Sequence, residues 1–226
     1  MKKRIKVSES LPCGILLALS GGCMDAYSYI FRDHVFANAQ TGNLLLFGVN
    51  LAGGNFSVAL KYLWPILAFV AGIIIADQIG TLSNLKKFRW RQLSVFIELF
   101  VLILVAFIPK GTDSIANMLT SFACGIQVES FRKIHGYSVA TTMCIGNLRS
   151  GTYNMDKYFA TNDRTYLLQS LLYYGIIIMF VIGAILESFV LPFFGQYSIL
   201  LSSMLLFIVA LLMFRCTAKG ISIFEE

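Results

Sequence analysis

Apolar residues along this chain come in long blocks, not in the alternating or striped patterns of a soluble domain. Six blocks are long enough to cross a bilayer, at about residues 11–31, 60–79, 92–109, 114–131, 166–190 and 197–214. A hydrocarbon core of about 30 Å needs roughly 20 helical residues, so runs of this length predict membrane spans. Two further segments, about 35–52 and 139–155, are only mildly apolar. One holds Ala37-Asn38-Ala39-Gln40-Thr41-Gly42-Asn43 and the other Thr141-Thr142-Met143-Cys144-Ile145-Gly146-Asn147. The pattern predicts an all-α polytopic membrane protein with six transmembrane helices plus two re-entrant or broken segments.

Composition narrows the class. Of 226 residues, 57% are apolar and 13% charged, and the mean hydropathy is +0.74. Soluble domains sit nearer half apolar and a quarter charged. A soluble enzyme, a nucleic-acid module and a secreted scaffold are excluded. The five cysteines (13, 23, 124, 144 and 216) show no CxxC and no zinc-like spacing, and are expected to be small buried hydrophobes. There is no phosphate-binding GxxxxGK[ST], no HExxH and no nucleophile elbow. The expectation is a protein that is not an enzyme, with no cofactor and no metal site.

The positive charges decide the topology. With six spans, two re-entrant segments and a cytoplasmic N-terminus, 15 of the 18 Lys and Arg fall on the cytoplasmic side. They include Lys2, Lys3, Arg4 and Lys6, the loop residues Lys86, Lys87, Arg89 and Arg91, and Arg132, Lys133, Arg149, Lys157, Arg164, Arg215 and Lys219. Arg32, Lys61 and Lys110 are left outside. Eight full crossings would instead put the Lys86 to Arg91 cluster opposite the basic N-terminus, against the positive-inside bias. Both termini are therefore expected in the cytoplasm. The basic start followed by an apolar run imitates a signal peptide, but this segment has a counterpart inside the chain and is expected to remain as the first helix.

That counterpart belongs to an internal repeat. Sliding the chain on itself by 104 positions pairs residues 20–44 with 124–148 without a gap, and six of the 25 pairs are identical. They are Gly21/Gly125, Ile30/Ile134, Val35/Val139, Gly42/Gly146, Asn43/Asn147 and Leu44/Leu148. Asp25 falls on Glu129. Further on, Phe69-Val70-Ala71-Gly72 matches Phe180-Val181-Ile182-Gly183 at a shift of 111. The single transmembrane domain, 1–226, thus divides into repeats of about 11–109 and 114–214, each reading as span, re-entrant segment, span, span. Three crossings is an odd number, so the expectation is an inverted 3+3 repeat, a pattern of transporters whose sites lie near the midplane.

Met24-Asp25-Ala26 after the Gly21-Gly22 pair, followed by Gln40-Thr41-Gly42-Asn43, resembles the YoaK-like family of bacterial multi-pass membrane proteins. The resemblance runs over nearly the whole chain, and Ile145 stands in the second half where the first has Thr41. It implies a bacterial cytoplasmic (inner) membrane protein and carries no substrate with it.

The polar residues inside the membrane supply the candidate chemistry. Irregular backbone survives at that depth only where protein or a water-filled cavity satisfies its amides. Asn43 and Asn147 are expected as N-caps of two half-helices, with backbone breaks at Gly42 and Gly146. Positive helix ends would then face a shared cavity. The candidate binding set is Gln40, Thr41, Gly42, Asn43, Thr141, Thr142, Gly146 and Asn147. Asp25 and Glu129 are the candidate proton carriers, because an ionisable group inside a span is expensive and usually faces a cavity. Asp77 and Glu187 are expected at span ends, Glu98 near Arg91 at the cytoplasmic edge, and His34 and His135 in solvated connections.

The expected function is a small secondary transporter for a small polar or anionic solute. A passive channel and a non-transporting partner subunit are the alternatives. The bilayer, a small-molecule or ion substrate and a homodimeric mate are the expected partners, and nucleic acid is not among them.

Overall fold

The computed structural model describes residues 6–82 and 87–219. Of the residues in the charge count, Lys2, Lys3, Arg4 and Lys86 lie outside the described ones. The chain is an all-α membrane protein. Among the described residues it forms α1 (Leu11–Phe31), α2 (Gln40–Ala52), α3 (Phe56–Leu82), α4 (Lys87–Ala106), α5 (Asp113–Ser130), α6 (Cys144–Thr161), α7 (Arg164–Phe194) and α8 (Leu200–Lys219). A short hairpin of β1 (Lys133–Ile134) and β2 (Tyr137–Ser138) interrupts the helical pattern, and single 3-10 turns precede α1 and α8. Three helical stretches are long and apolar enough to cross a membrane: Leu11–Phe31, Phe56–Thr81 and the run Arg164–Arg215 that carries α7 and α8.

Local sequence explains most helix ends. Pro12 stands in the first turn of α1, where its missing N–H costs nothing. Asp163 caps α7 by accepting the Thr165 amide at 2.8 Å. Asn162, left-handed at φ 55°, closes α6. The hairpin turn places His135 and Gly136 at φ 52° and 83°, and two central residues with positive φ match the twist of a two-residue loop.

Packing is dominated by two helix pairs, α1 against α7 and α3 against α5. Next come α6 with α7 and α2 with α3, then α1 with α8 and α4 with both α5 and α8. Glycine sets the closest approach in both leading pairs. A Cβ on Gly22 would overlap the Phe180 carbonyl oxygen, and one on Gly183 would overlap that of Leu19. In the other pair, Gly72 and Gly125 meet the carbonyls of Phe122 and Phe69 in the same way. Without a hydrophobic force between helices in lipid, such backbone-to-backbone contact is what holds them. Large apolar side chains such as Phe189, Phe193 and Phe159 are turned outward around the perimeter, as a lipid-facing surface requires.

Charged side chains gather at both ends of the bundle. Lys6, Glu9, Arg91, Glu129, Arg132 and Lys133 gather at one. At the other, Lys61 pairs with Asp33 at 2.8 Å and Lys110 lies 4.9 Å from the Phe31 ring. There too, fully buried Arg32 pairs with Asp113 at 3.0 Å and donates to the Ile108 and Pro109 carbonyls at 2.6 and 3.2 Å. Those carbonyls belong to the turn that follows α4, so Arg32 finishes a helix from the other end of its own half.

Candidate functional site

Each of the two mildly apolar segments enters as non-helical backbone and leaves as a helix. Residues 32–39 run back from the end of α1 to the start of α2, and residues 131–143 do so from α5 to α6. At 13 residues α2 is about 20 Å long, short of a hydrocarbon core of about 30 Å.

The helices start four residues earlier than the Gly-Asn motif suggested. Ala39 and Met143 occupy the N-cap positions, and neither helix has a side-chain cap. Gly42 and Gly146 therefore lie inside the first turn with ordinary negative φ, so the breaks fall before them. Asn43 and Asn147 do a different job from capping. The Asn43 side chain accepts from the Phe36 N–H at 3.1 Å and donates to the Phe36 carbonyl at 2.7 Å. Asn147 treats Ala140 identically, at 3.2 and 2.5 Å. Each amide side chain mimics a paired strand and satisfies both polar groups of an extended residue seven positions back. Neither main-chain polar group of that residue is left unpaired.

Between the two helix starts lies a cavity of about 330 Å³. Its walls include Asp25 from α1, Asn38, Gln40 and Thr41 at the start of α2, Thr142 and Gly146 at the start of α6, and Phe180 from α7. Two uncapped helix N-termini thus face one space from the two halves of the chain. Asp25 Oδ1 accepts the Asn38 amide at 2.7 Å, and the Ala39 amide also points toward its carboxylate, while the Ala37 N–H donates to Ser28 Oγ at 3.0 Å. Asn38 in turn donates from its Nδ2 to the Gly21 carbonyl at 2.8 Å. Asn38 and Thr142 are 1% and 2% exposed, and neither Asn38 Oδ1 nor Thr142 Oγ1 has a hydrogen-bond partner. Buried polar oxygens of this kind nearly always find one.

Of the candidate binding residues, Gln40, Thr41, Thr142 and Gly146 reach the cavity. Asn43 and Asn147 stand behind it as backbone clamps. Gly42 faces the Phe36 ring, and Thr141 is buried and accepts the Gln127 amide at 2.9 Å. Of the two candidate proton carriers, Asp25 is in the cavity wall. Glu129 is not: it is bonded to Arg132, which follows the end of α5, at the charged end of the bundle. Other expectations change as well. Glu98 is fully buried on α4 with neither oxygen hydrogen-bonded, while Arg91 pairs with Glu9. Glu187 is fully buried on α7, and Asp77 is exposed. Asn38 and Phe180 join the wall although the Gly-Asn motif does not single them out. Asn38 lies in the same polar run as Gln40, which is signal enough; Phe180 looks like any lipid-facing residue of a long span. Among the described residues no cluster of three or more His, Cys, Asp and Glu comes close enough to hold a metal ion.

The chain is similar to the UPF0700 transmembrane protein YoaK of Bacillus subtilis (strain 168), at 26% identity over 202 residues, 85% of this chain and 88% of that protein. No solved structure matches. A family model described as a protein of unknown function (DUF1275) matches residues 13–212, and this chain belongs to that family.

Proposed function

We propose that this protein is a small secondary transporter that carries a small polar or anionic solute through a site between two inverted repeats. The observation that carries the reading is the shared cavity. Two helix N-termini without side-chain caps and one carboxylate converge on it, and Asn38 and Thr142, each with a buried unpartnered oxygen, line it. Helix N-termini favour anionic or oxygen-rich groups, and discontinuous helices that meet at mid-membrane are how transporters build such sites. The cavity supplies acceptors too, in Asp25, Asn38 and Thr142, so the solute also bears N–H or O–H donors.

The repeat reading draws support from the packing order. Advancing each helix by four places turns the α1–α7 pair into the α5–α3 pair, α2–α3 into α6–α7 and α4–α5 into α8–α1. The paired asparagine clamps agree with it. On this reading six helices cross, α2 and α6 re-enter from opposite faces, and the halves are those of residues 11–109 and 114–214. The split of Lys and Arg, 15 on one side and three on the other under six spans, supports a cytoplasmic N-terminus and C-terminus in a bacterial inner membrane.

Asp25 is the group through which protons act in this scheme. When charged, it holds the bend at Asn38 by its amide and opposes an anion in the cavity; when neutral, it admits one. The test is uptake into proteoliposomes of solutes first selected by thermal shift on the purified protein, since a bound solute stabilises the fold by mass action. Asp25→Asn keeps the acceptor for Asn38, so it should insert normally yet lose accumulation driven by a pH gradient, with exchange retained. Fully pH-coupled uptake in that variant would remove Asp25 from the mechanism, and wild-type flux that ignores a proton gradient would replace the transporter with a channel.

A further inference from the structure

At the charged end of the bundle, two short segments build a common wall. The 3-10 turn Val7–Glu9 lies against the β1–β2 hairpin, where the His135 N–H donates to the Glu9 carbonyl at 2.8 Å. The Leu11 N–H donates to His135 Nε2 at 3.2 Å. Cavities lie on both sides of this wall, and neighbouring residues face opposite ways: Lys6, Glu9, Lys133 and Gly136 line one, and Leu11, His135 and Tyr137 the other.

The first cavity, about 450 Å³, is basic. Lys6, Arg91, Arg132 and Lys133 bring four positive charges to it, against Glu9 and Glu129. Both acids are already engaged, Glu9 by Arg91 at 3.0 Å and Glu129 by Arg132. The two lysines are left to answer an outside anion, and the buried Nε of Arg91 has no hydrogen-bond partner. The second cavity, about 540 Å³, is an apolar groove between α1 and α7, walled by Ile15, Leu168, Leu171, Leu172 and Met179. Gly175 belongs to its lining, and a Cβ built there would have nothing within 4 Å. Only the rim is polar, where Gln169 Nε2 donates to the Tyr137 hydroxyl at 3.3 Å.

A basic pocket and an apolar groove that share one wall, at the end of a membrane helix bundle, match a molecule with an anionic head and a hydrocarbon tail. We propose that an anionic phospholipid of the surrounding bilayer binds here, with its phosphate in the pocket between Lys6 and Lys133 and one acyl chain in the groove beside Gly175. A free phosphate would fill only the pocket, and a zwitterionic lipid would bring no net charge to the lysines. The lipid tethers the N-terminal turn to the hairpin, independently of any solute in the central cavity.

The experiment uses the full chain in detergent, with thermal shift and native mass spectrometry. Dioleoyl phosphatidylglycerol, dioleoyl phosphatidylcholine, glycerol phosphate and inorganic phosphate are the probes. Phosphatidylglycerol should raise the melting temperature and stay bound in the spectrometer, and the other three should not at equal concentration. The double variant Lys6→Gln/Lys133→Gln should weaken it roughly thirtyfold, since each lysine near an anionic surface contributes about five- to sixfold. Gly175→Leu fills the groove without touching the lysines and should weaken it by about tenfold. Should one variant fail to fold, the other still decides. Equal binding of the two lipids, or no loss in the folded variants, overturns the proposal. Stabilisation by glycerol phosphate as large as that by phosphatidylglycerol reduces the site to a phosphate pocket and also overturns it.

Discussion

The two connections that lead into α2 and α6 end alike and are anchored differently. Both finish on an asparagine that satisfies the N–H and C=O of the residue seven positions back. The first, however, is tied to its preceding helix by a carboxylate, Asp25 to the Asn38 amide. The second is tied by a neutral amide, Gln127 to the Thr141 hydroxyl. It also carries a hairpin that the first lacks. The clamp is thus the shared structural requirement, while the anchor is free to differ. An ionisable anchor in one half alone makes the cavity electrostatically one-sided.

The comparison can be broken first at the helix crossings. Gly183→Ala and Gly72→Ala each push a methyl group into a facing backbone carbonyl. Because backbone cannot rotate away, each should cost about 3 kcal/mol and sharply reduce folded yield, equally in both halves. Chemical unfolding in detergent checks this, and a large inequality would mean that the crossings are not equivalent. Next come the clamps. Asn43→Ala and Asn147→Ala each strand two half-buried backbone groups and should cost about 2 kcal/mol, again alike. Smaller and opposite in sign are Gly42→Ala and Gly146→Ala. A methyl at Gly42 would stand 2.8 Å from the Phe36 ring and should destabilise by roughly 1 kcal/mol. At Gly146 nothing lies within 4 Å, so better helix propensity should stabilise by up to about 1 kcal/mol. There the readout to watch is weaker solute binding, because Gly146 lines the cavity.

The smallest expected effect is in pH dependence. The Thr165 amide and hydroxyl hold exposed Asp163 below its ordinary value, whereas the matching turn before α3 has only Gly53, Gly54 and Asn55. As the pH falls, the unfolded chain takes up this proton first. The cap's contribution is therefore full above the ordinary carboxylate range and is lost as the pH drops through the lowered folded value. Asp163→Asn should flatten the acid limb of the melting curve slightly, and Asn55→Ala should leave its shape unchanged.

The sequence held more of the architecture than of the site. Long apolar blocks marked the main helices, and the match of Phe69 to Gly72 with Phe180 to Gly183 picked out the very glycines of the two crossings. What misled was register. A uniform shift of 104 aligns Asn43 with Asn147 correctly, but the crossing glycines Gly22 and Gly125 are 103 apart. One residue turns a helix by about 100°, so the shift set Asp25 against Glu129, although on the proposed repeat its mate is Val128. The asparagine clamp was equally hidden. Asn beside Gly at a helix start reads as a cap, and only the returning extended segment reveals another use for the side chain. Glu98 and Glu187 show the same limit, since an acid near the edge of an apolar block reads as interfacial whichever way its helix turns.

The pairing of α1 with α7 also sets a timetable for biogenesis. Cys23 bonds the Gly183 carbonyl 160 positions away, so α1 leaves the ribosome long before its main neighbour exists. At about 5–20 residues per second the wait is roughly ten to thirty seconds. The α3–α5 pair, joined through the much shorter stretch between Gly72 and Gly125, is complete while α7 is still being synthesised. The first helix to enter the membrane is therefore among the last to be locked. A nascent chain halted before residue 164 holds one finished crossing and one unpaired glycine face, open to whatever insertion factor or lipid occupies it.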